Sequence, residues 1–543
     1  MKASFFIFII FTFILNLFLY GGTLKVVTSD DERTNKYYYY FNKQYIWIDK
    51  NNQIRDIAFN LIEEIKDDKI LEPFINKIFN IKKIENLLEH RDHLEKTKSI
   101  ELDTLLTKTY DQYMNYLARG FINWKSFIDE LEKIEEETEI KAKWSKFEVR
   151  KNNIKLLELS IEKNNINYAL NQVNYTFPYA NDLEEEITRL EKIKEAGGYT
   201  TIPETLQPLR VGNFYPQIEY IRKRLYESKD IDSLECAKVV KNCQYYFDEK
   251  LFNGVISFQK RYGLITDGVI GKNTIDKLNT PIEEKIKVLR VNLERMRWLP
   301  RNLGERYILI NIPAYKLKLY EQNKVQLKMD VIVGKKKFPT PVFSHKMSEV
   351  IVNPYWKIPQ TIVKNEIIPK LAKDSDYLIK ENIKVFENWD VNSLEFDVSK
   401  VDWNMYVNND LIGTPKEAPM RFIQTPGGSN PLGRVKFLFP NQYSVYLHDT
   451  PEKQYFKMKE KTLSHGCIRL EKPFELFENI LTINKDDIKV IEKLEESDYK
   501  LNKKIPIHIV YLTAWVENDK LQFRDDIYNY DKIQSKLLFE STF

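Results

Sequence analysis

The spacing of hydrophobic residues changes near residue 300, and this change most limits how the chain can fold. Before it, apolar side chains recur at helical intervals, as in Ile57 to Lys66, Phe74 to Leu88 and Leu102 to Leu117. After it, they alternate as in β-strands, for example in Tyr307 to Ile312 and Val325 to Gly334. A chain of 543 residues exceeds what one hydrophobic core supports. The pattern therefore predicts an α+β multidomain protein, helical first and β-rich last.

Residues 282–299 are predicted to form a linker helix that leads into the β-rich part, residues 300–543. A long, charged and partly helical insertion interrupts that part at about residues 366–420, and insertions of this size beside a site often act as lids. Further strands are predicted over Lys316 to Tyr320, Val350 to Asn353, Arg421 to Gln424, Lys436 to Phe439, Ser444 to His448, Ile505 to Trp515 and Leu521 to Arg524. The last two are expected to close the same sheet.

The N-terminal segment, residues 1–22, has the composition of an export signal. Lys2 precedes an apolar run from Ala3 to Tyr20, and Gly21 and Gly22 follow. A basic start, an apolar stretch and small residues at its end are typical of a secretory signal. The run is also long enough for an uncleaved membrane anchor, which needs about 20 apolar residues. In either case, the rest of the chain is expected to work outside the cytoplasmic membrane.

The chain contains three cysteines, and an exported protein meets oxidants. An odd count suggests one disulfide and one thiol kept free. On one continuous helix, Cys236 and Cys243 would lie about 10.5 Å apart along the axis, too far for a bridge. A disulfide between them therefore requires a bend in the chain, and the sequence leaves open whether they are bridged. Cys467 is the remaining thiol.

The segment Ser464-His465-Gly466-Cys467, together with His448, concentrates chemically active groups near the end of the chain. An isolated free cysteine is often a small buried hydrophobe, and a single histidine is often a satisfied core residue. That interpretation would have to explain a thiol, two imidazoles and a glycine that lets backbone N–H groups approach a ligand. A nucleophile, a base and oxyanion donors are the parts of a cysteine transferase. The segment therefore predicts acyl transfer through a cysteine thioester, with a histidine as base.

The charge balance argues against a nucleic-acid partner. The chain carries 83 basic and 79 acidic residues, a net charge of +4, and shows no basic stripe. No nucleotide-binding loop is evident, and His90 and His93 lack a third metal ligand nearby in the sequence. No cofactor and no metal are therefore expected.

The phrase VISFQKRYGLITDGVIGKNTIDKLN lies within residues 206–281, a region with three short predicted helices. It closely resembles the peptidoglycan-binding domain of many cell-wall enzymes. The matching positions are Phe258, Gln259, Gly263, Leu264, Asp267, Gly268, Gly271 and Thr274. Most of these residues are interpreted as builders of a three-helix core and its turns. The resemblance therefore identifies a small peptidoglycan-binding-like domain better than it identifies a ligand site.

Several segments follow one another in the β-rich part: VNPYWKIP from Val352, NPLGRVKF from Asn430, then LHDTP, SHGCIRL and VYLTAWVENDKLQFRDDIY. Together they make residues 300–530 resemble the L,D-transpeptidase catalytic domain, in particular that of the large periplasmic enzymes of Gram-negative bacteria. The resemblance implies a periplasmic location and a helical scaffold domain at residues 23–205. Because the sequence has no second apolar stretch of spanning length, contact with the membrane is expected only through the N-terminal segment, if that segment is uncleaved.

The resemblance implies a role for each residue of the catalytic segments. Cys467 would be the nucleophile, and His448 would be the base that takes its proton. Backbone N–H groups around Gly466 and Cys467 would form the oxyanion hole. His465 is assigned a structural or orienting role, with a competing claim to be the base. Asp449 would help to orient His448, unless its carboxylate is merely solvated at an exposed position.

Substrate contacts are assigned to a second group of residues. Arg469 stands where smaller transpeptidases of this fold usually carry asparagine, and it is a candidate clamp for a carboxylate, with Lys357 as a second cation. Tyr446, Trp356 and Ser464 are candidates for the cleft wall, and their alternative role is packing in the β-structure.

The implied reaction is the cross-linking of peptidoglycan stem peptides through a Cys467 thioester, with release of D-alanine and formation of a 3→3 bond. Three alternatives stay open. Water could resolve the thioester, which would make an L,D-carboxypeptidase or endopeptidase. The acceptor could be the lysine of an outer-membrane lipoprotein. In a different class, the protein could be a non-catalytic scaffold that binds the wall. Other cell-wall synthases are possible partners in each case.

Overall fold

A computed structural model of the protein describes residues 31–91, 94–175, 180–204, 207–236, 241–403, 406, 420–481 and 495–540. In these ranges the chain forms two compact units. Unit 1 takes its residues from Met1–Ile128, Lys146–Asn302 and Leu512–Phe543, and unit 2 from Asp129–Ser145 and Leu303–Tyr511. The predicted export signal, residues 1–22, lies outside the described residues. Within them, no helix combines the length and the apolar character that a membrane span requires.

Helices dominate the chain before residue 300, as the helical spacing predicts. They are Glu32–Tyr40, Asp56–Asp67, Ile75–Ile78, Ile81–Glu89, Lys96–Arg119, Trp124–Thr138, Asn153–Glu162, Asn167–Leu170, Ala180–Glu195, Gln217–Glu227, Glu249–Arg261, Lys272–Leu278 and Ile282–Met296. The single helix predicted from Phe74 to Leu88 is wrong: Asn80, in the left-handed region at φ 51°, separates two helices there.

The predicted linker helix is a central element of unit 1. Ile282–Met296 is a helix whose buried residues include Asn292 and Arg295 as well as its apolar side chains. It packs against Ala180–Glu195, Tyr530–Phe539 and Ala514–Glu517. The Asn292 amide donates to the Thr513 hydroxyl at 2.9 Å and accepts from the Thr513 N–H at 2.9 Å. The helix is therefore part of a core, because its polar groups also find buried partners.

The sequence prediction for the end of the chain is right in one part and wrong in the other. The strand Ser497–Val510, which includes the first half of the predicted strand Ile505 to Trp515, joins the large sheet of unit 2. The strands Ala514–Glu517 and Lys520–Phe523 belong to unit 1, where they form a separate two-stranded hairpin and do not join that sheet. The hairpin is held to unit 1 by Arg261, which donates to the Leu521 carbonyl at 2.5 Å. The alternation of a strand predicts the strand, but it does not determine the sheet that the strand joins.

The helices Gln217–Glu227, Glu249–Arg261 and Lys272–Leu278 form the predicted small three-helix region. Cys236 and Cys243 are bridged, with their Cα atoms 5.6 Å apart, and a short 3₁₀ helix begins at Cys243. The Gln259 amide donates to the Asp267 carboxylate at 3.0 Å and accepts from the Gly268 N–H at 2.8 Å. These residues of the matching phrase therefore hold a turn, in agreement with their interpretation as structural residues.

The described residues after 300 contain fourteen strands. They are β1 Arg306–Asn311, β2 Lys316–Glu321, β3 Lys324–Gly334, β4 Phe343–Val352, β5 Trp356–Lys357, β6 Ile383–Phe386, β7 Arg421–Gln424, β8 Val435–Leu438, β9 Leu447–His448, β10 Thr462–Ser464, β11 Ile468–Leu470, β12 Ser497–Val510, β13 Ala514–Glu517 and β14 Lys520–Phe523. Helices also follow residue 300, at Gln360–Ile362, Ile368–Leu371, Tyr377–Lys380, Pro473–Leu481 and Tyr530–Phe539.

The main sheet of unit 2 has nine strands in the order β10-β3-β11-β9-β8-β4-β12-β1-β2. Because β2 also pairs with β3, the sheet closes on itself and β10 continues from β3. The long strand β12 pairs in antiparallel fashion with β4 and in parallel with β1. The short strands β9 and β11 pair in parallel at the centre of the order, and closure leaves neither of them at an edge.

The insertion has a core of its own. Strands β5, β7 and β6 form a three-stranded sheet, and a π-helical turn at Val363–Ile367 joins two of the short helices. Its buried cluster includes Ile358, Phe422 and Trp403. Residues 404–405 and 407–419 of the predicted lid lie outside the described residues. A separate core makes the insertion a distinct subdomain, and its action as a lid stays a prediction.

Candidate active site

The segment from Ser464 to Cys467 is a tight turn between β10 and β11. The Ser464 hydroxyl donates to the Cys467 carbonyl at 2.5 Å and accepts from the Gly466 N–H at 3.1 Å. Gly466 has φ 111°, in a region that side chains with a Cβ rarely adopt. Buried Thr340 donates to the Gly466 carbonyl at 2.9 Å. The glycine and the two hydroxyls therefore fix the position of the cysteine.

Strand register brings the chemically active side chains to one face of the sheet. Lys436 of β8 lies opposite His448 of β9, and His448 lies beside Arg469 of β11. Side chains in register on neighbouring strands point to the same face, and the face alternates along each strand. Tyr446 and Cys467 precede His448 and Arg469 by two positions, so the alternation predicts that they share this face.

Cys467 is a half-buried, free thiol. Its Sγ donates to the Ser444 carbonyl at 4.0 Å. Burial raises the pKa of the Cys467 thiol, while the Tyr446 backbone and the charges of Lys436 and Arg469 act in the opposite direction. The thiol is therefore mostly protonated at neutral pH, and a nucleophilic reaction requires a base to take its proton.

His448 is buried, and its Nδ1 lies 2.6 Å from the Asp449 carbonyl oxygen. A carbonyl only accepts, so Nδ1 carries the hydrogen and Nε2 is the basic nitrogen. Burial lowers the pKa of His448 to about 3, and the charge of Arg469 contributes in the same direction. Among the described residues no hydrogen bond joins the Cys467 thiol to the His448 imidazole, and such contacts often tighten when substrate binds.

Two buried neutral histidines predict that unit 2 loses stability in acid. Burial lowers the pKa of His448 to about 3 and that of His508 to about 4. Unfolded histidines, with a pKa of about 6.5, bind more protons below that pH, so stability falls as pH decreases. We expect a loss of about 3 kcal/mol per histidine between pH 6.5 and 4. Urea unfolding at several pH values measures it.

His508→Gln separates this effect from the titration of the carboxylates. His508 bonds to the Ser344 hydroxyl at 2.9 Å and donates to the Leu303 carbonyl at 3.0 Å. The variant should be less stable than the wild type at pH 7, and the difference should shrink toward pH 4. A difference that is the same at both pH values would contradict the prediction.

Asp449 is buried, so the predicted exposed position is wrong. Its carboxylate accepts from the Arg434 N–H at 2.9 Å, the Thr450 N–H at 2.7 Å and the Lys453 ammonium at 2.6 Å. Only its backbone carbonyl contacts His448. Asp449 therefore orients the imidazole through the main chain, while its carboxylate anchors the loop before β8.

Arg469 and Lys436 are the two cations on this face. The Arg469 guanidinium pairs with Glu452, so the predicted carboxylate clamp already has a carboxylate partner. Lys436 was not predicted as a site residue, because a lysine in an alternating strand usually faces solvent. Its ammonium lies 4.0 Å from the centre of the Tyr446 ring and has no ion-pair partner within the described ranges. Only the strand register places this charge beside the thiol.

Lys436→Met is expected to slow alkylation of Cys467 by iodoacetamide about 3- to 10-fold at pH 7.5, because a shift of one pKa unit changes the thiolate fraction tenfold. The positive charge of Lys436 lowers the pKa of Cys467, so its loss leaves less thiolate. Lys436→Arg should retain most of the rate. Lys357→Met, which removes an exposed cation on β5, is the matched control, and an equal loss in both methionine variants would contradict the prediction.

The remaining predicted residues lie at the margins of the site. His465 is exposed, with its Nε2 3.2 Å from Glu366 of the insertion and 3.1 Å from the Lys335 ammonium. Trp356 packs against the core of the insertion. The Gly466 N–H is engaged by Ser464, so in the described structure the Cys467 N–H is the predicted oxyanion donor without a hydrogen-bond partner.

Three family models match the chain in the predicted order. Residues 305–495 match the L,D-transpeptidase catalytic domain, residues 32–186 a "Scaffold domain" and residues 241–278 a "Putative peptidoglycan binding domain". These matches confirm the suspected family and the predicted combination of a helical scaffold, a peptidoglycan-binding-like domain and a β-rich catalytic domain.

A curated protein of Haemophilus influenzae, named "Putative L,D-transpeptidase", is 32% identical over 250 residues, which are 45% of this chain and 48% of that protein. The match thus spans about half the length of the relative. An L,D-transpeptidase structure from Mycobacterium smegmatis has 13% identity and a TM-score of 0.19, covering 38% of this chain and 58% of that one. An L,D-transpeptidase structure from Stackebrandtia nassauensis has 11% identity and a TM-score of 0.20, and the match covers 58% of this chain and 97% of that one. Neither TM-score supports a conclusion about this chain.

Proposed function

Because residues 305–495 belong to the L,D-transpeptidase catalytic domain family, we propose that the protein is a peptidoglycan L,D-transpeptidase that works through a Cys467 thioester. One observation carries the proposal: the strand that begins directly after the free thiol of Cys467 pairs in parallel with the strand that ends at the buried, neutral His448. A protonated thiol beside a neutral base is the starting state for base-assisted nucleophilic attack. The enzyme would act in synthesis or remodelling of the cell wall.

In the first half-reaction, Nε2 of His448 takes the thiol proton as Sγ attacks the carbonyl of the meso-diaminopimelate residue in a tetrapeptide stem. The Cys467 N–H would donate to the oxyanion that forms, where a pre-placed donor is most effective. The C–N bond to the terminal D-alanine then breaks, and the imidazolium returns its proton to the departing amine. D-alanine leaves, and the stem remains as a thioester on Cys467.

In the second half-reaction, the side-chain amine of a neighbouring stem attacks the thioester. His448 takes the amine proton and returns it to the departing thiolate, so the free enzyme and a 3→3 cross-link result. The thioester retains the energy of the cleaved amide bond. The new amide bond can therefore form without ATP, because its energy comes from the amide bond that was cleaved.

Lys436 adds charge stabilisation to both steps. Its ammonium lies on the face that holds the thiol, against Tyr446, and has no carboxylate partner in the part of the chain that the structure describes. A cation in this position would stabilise the thiolate and could bind a carboxylate of the donor stem. Arg469, already paired with Glu452, would contribute mainly through its electrostatic field.

The domain order supports a location at the cell wall. The peptidoglycan-binding-like region would hold glycan strands or stems, and the N-terminal segment would export the chain to the periplasm as a signal or hold it at the membrane as an anchor. Other cell-wall synthases are proposed partners, because new glycan strands must be supplied to a cross-linking enzyme.

The test incubates the purified chain, residues 23–543, with a disaccharide-tetrapeptide and reads the products by mass spectrometry, with Cys467→Ala alongside. A dimer lacking one D-alanine, formed only with the wild type, supports the transpeptidase. A tripeptide monomer without dimer supports the carboxypeptidase. No product together with binding to intact wall would support a scaffold and contradict catalysis.

A further inference from the structure

Among its described residues, unit 1 buries two cations that have no ion-pair partner. Arg224, on the helix Gln217–Glu227, is fully buried, and Lys285, on the central helix Ile282–Met296, is 3% exposed. A buried charge normally pairs with an opposite charge or is neutralised. Two such cations in one cluster are therefore unusual, and they lie outside the catalytic unit.

Two neighbouring cations are already paired with carboxylates, and the nearby Glu227 carboxylate is hydrogen-bonded to Thr200. Arg189 donates to Glu186 at 2.7 Å, and Arg261 donates to Asp230 at 2.9 Å. The Glu227 carboxylate accepts from the Thr200 N–H at 2.9 Å and from its hydroxyl at 2.6 Å. Within the described part of unit 1, these pairs leave the charges of Arg224 and Lys285 unmatched.

Most polar atoms of the two cations lack hydrogen-bond partners in the described structure, although the Arg224 Nε donates to the Leu278 carbonyl at 3.0 Å. Two of the three guanidinium nitrogens of Arg224 and the Lys285 ammonium have none. The Arg224 guanidinium stacks on Tyr199 at 3.7 Å from the ring centre, and the Lys285 ammonium lies 5.0 Å from the same centre. Burial, followed by the charge of Arg224, lowers the pKa of Lys285 well below its usual value. A bound anion would relieve both effects.

Lys285 lines a small cavity that adjoins a larger groove. The cavity measures about 20 Å³ and is lined also by Tyr199, Tyr262 and Arg261, and by two carboxylate residues, Glu186, which pairs with Arg189, and Asp519. The groove measures about 640 Å³ and shares Arg189 and Tyr199 with the cavity. The volume of the cavity exceeds the roughly 10–15 Å³ that one water molecule requires, so the cavity can admit a small polar group.

The groove is positively charged along its rim. Lys192 and Lys223 line it together with Arg189, whose guanidinium pairs with Glu186, and Glu227, held by Thr200, is the one carboxylate among its described lining residues. Gly197 and Gly198 form its floor beside Tyr199. Glycines leave backbone N–H and C=O groups accessible, and a peptide can pair with such groups.

We infer that this groove binds an acidic peptide, with a carboxylate of the peptide inserted in the cavity against the Lys285 ammonium. Tyr199 lines both the cavity and the groove. The Arg224 guanidinium stacks on the Tyr199 ring and adds positive charge. The site is separate from Cys467 and does not depend on the proposed reaction. Its chemistry, a buried ammonium with a cationic rim, selects a carboxylate-bearing chain over a neutral one.

The test measures binding of N-acetyl-L-alanyl-D-glutamate to the purified chain by isothermal titration calorimetry. Its neutral diamide and acetate alone are the comparison ligands. The variant is Lys285→Met, which keeps the side-chain volume and removes the ammonium. Lys287→Met is the matched control, because Lys287 lies on the same helix but is exposed and pairs with Glu284. Thermal unfolding and Cys467 alkylation verify that each variant is folded.

The expected result is that Lys285→Met weakens binding of the acidic peptide at least about tenfold, while Lys287→Met changes it less than about twofold. The diamide should bind at least about tenfold more weakly than the acid. Equal binding by Lys285→Met and the wild type would overturn the site. If acetate binds as tightly as the peptide, the groove does not contribute to binding, and the proposal of a peptide site is contradicted. The cavity would then be a site for small anions only.

Discussion

Replacing Cys467 by alanine is expected to lower the rate of D-alanine release roughly 10⁴-fold or more, because no other group can form the thioester. The change removes one sulfur atom from a half-buried position, so the fold should persist. Intact-protein mass spectrometry after incubation with a tetrapeptide stem should detect an acyl adduct on the wild type and none on Cys467→Ala.

Ser444→Ala is the matched control for this experiment. Ser444 contacts Sγ through its backbone carbonyl, and its exposed side chain can be removed without loss of that contact. The variant should retain the adduct and most of the rate. D-alanine release by Cys467→Ala at more than a few per cent of the wild-type rate would contradict the assignment of the nucleophile.

Replacing Arg297 by methionine is expected to destabilise unit 1 by about 3–5 kcal/mol, because it leaves a buried carboxylate without its partner. Arg297 is 2% exposed and donates to Asp68 at 3.2 Å, to the Tyr116 hydroxyl at 2.7 Å and to Asn174 at 3.3 Å. Its guanidinium lies between the rings of Tyr116 and Tyr175, 4.1 and 4.5 Å from their centres. Urea unfolding measures the loss.

Two further variants show whether the buried pair causes this loss. Arg150→Met removes an exposed arginine that pairs with Glu148, and it should cost less than about 1 kcal/mol. The double variant Asp68→Asn with Arg297→Met should lose less than the sum of the two single variants, because it leaves no unpaired charge. Strict additivity would contradict a direct interaction between the two side chains.

The local spacing of apolar residues predicted much of the secondary structure of this protein. The apolar periods predicted the helical first half and the β-rich second half, and most strands after residue 300 lie where the alternation placed them. The turn at Gly466 was also predictable, because a nucleophile held by a tight turn requires a residue that tolerates φ 111°. The signal of a chemical site was therefore local, in a few consecutive residues.

Contacts between distant residues decided which strands pair and which charged side chains meet. Alternation identified β8 as a strand, but only its register against β9 placed Lys436 opposite His448. The sequence offered Arg469 as a free cation, and the fold paired it with Glu452. The final hairpin, β13 and β14, was expected in the main sheet but belongs to unit 1.

By itself, the sequence predicted the type of most elements and offered Cys467 and His448 as the candidate nucleophile and base, because these signals depend on residues close together in the chain. Only the tertiary structure decided which charges are neutralised and which remain unmatched. The physical reason is that the cost of a buried charge depends on neighbours brought in from distant segments, as Lys285 and Lys436 both illustrate.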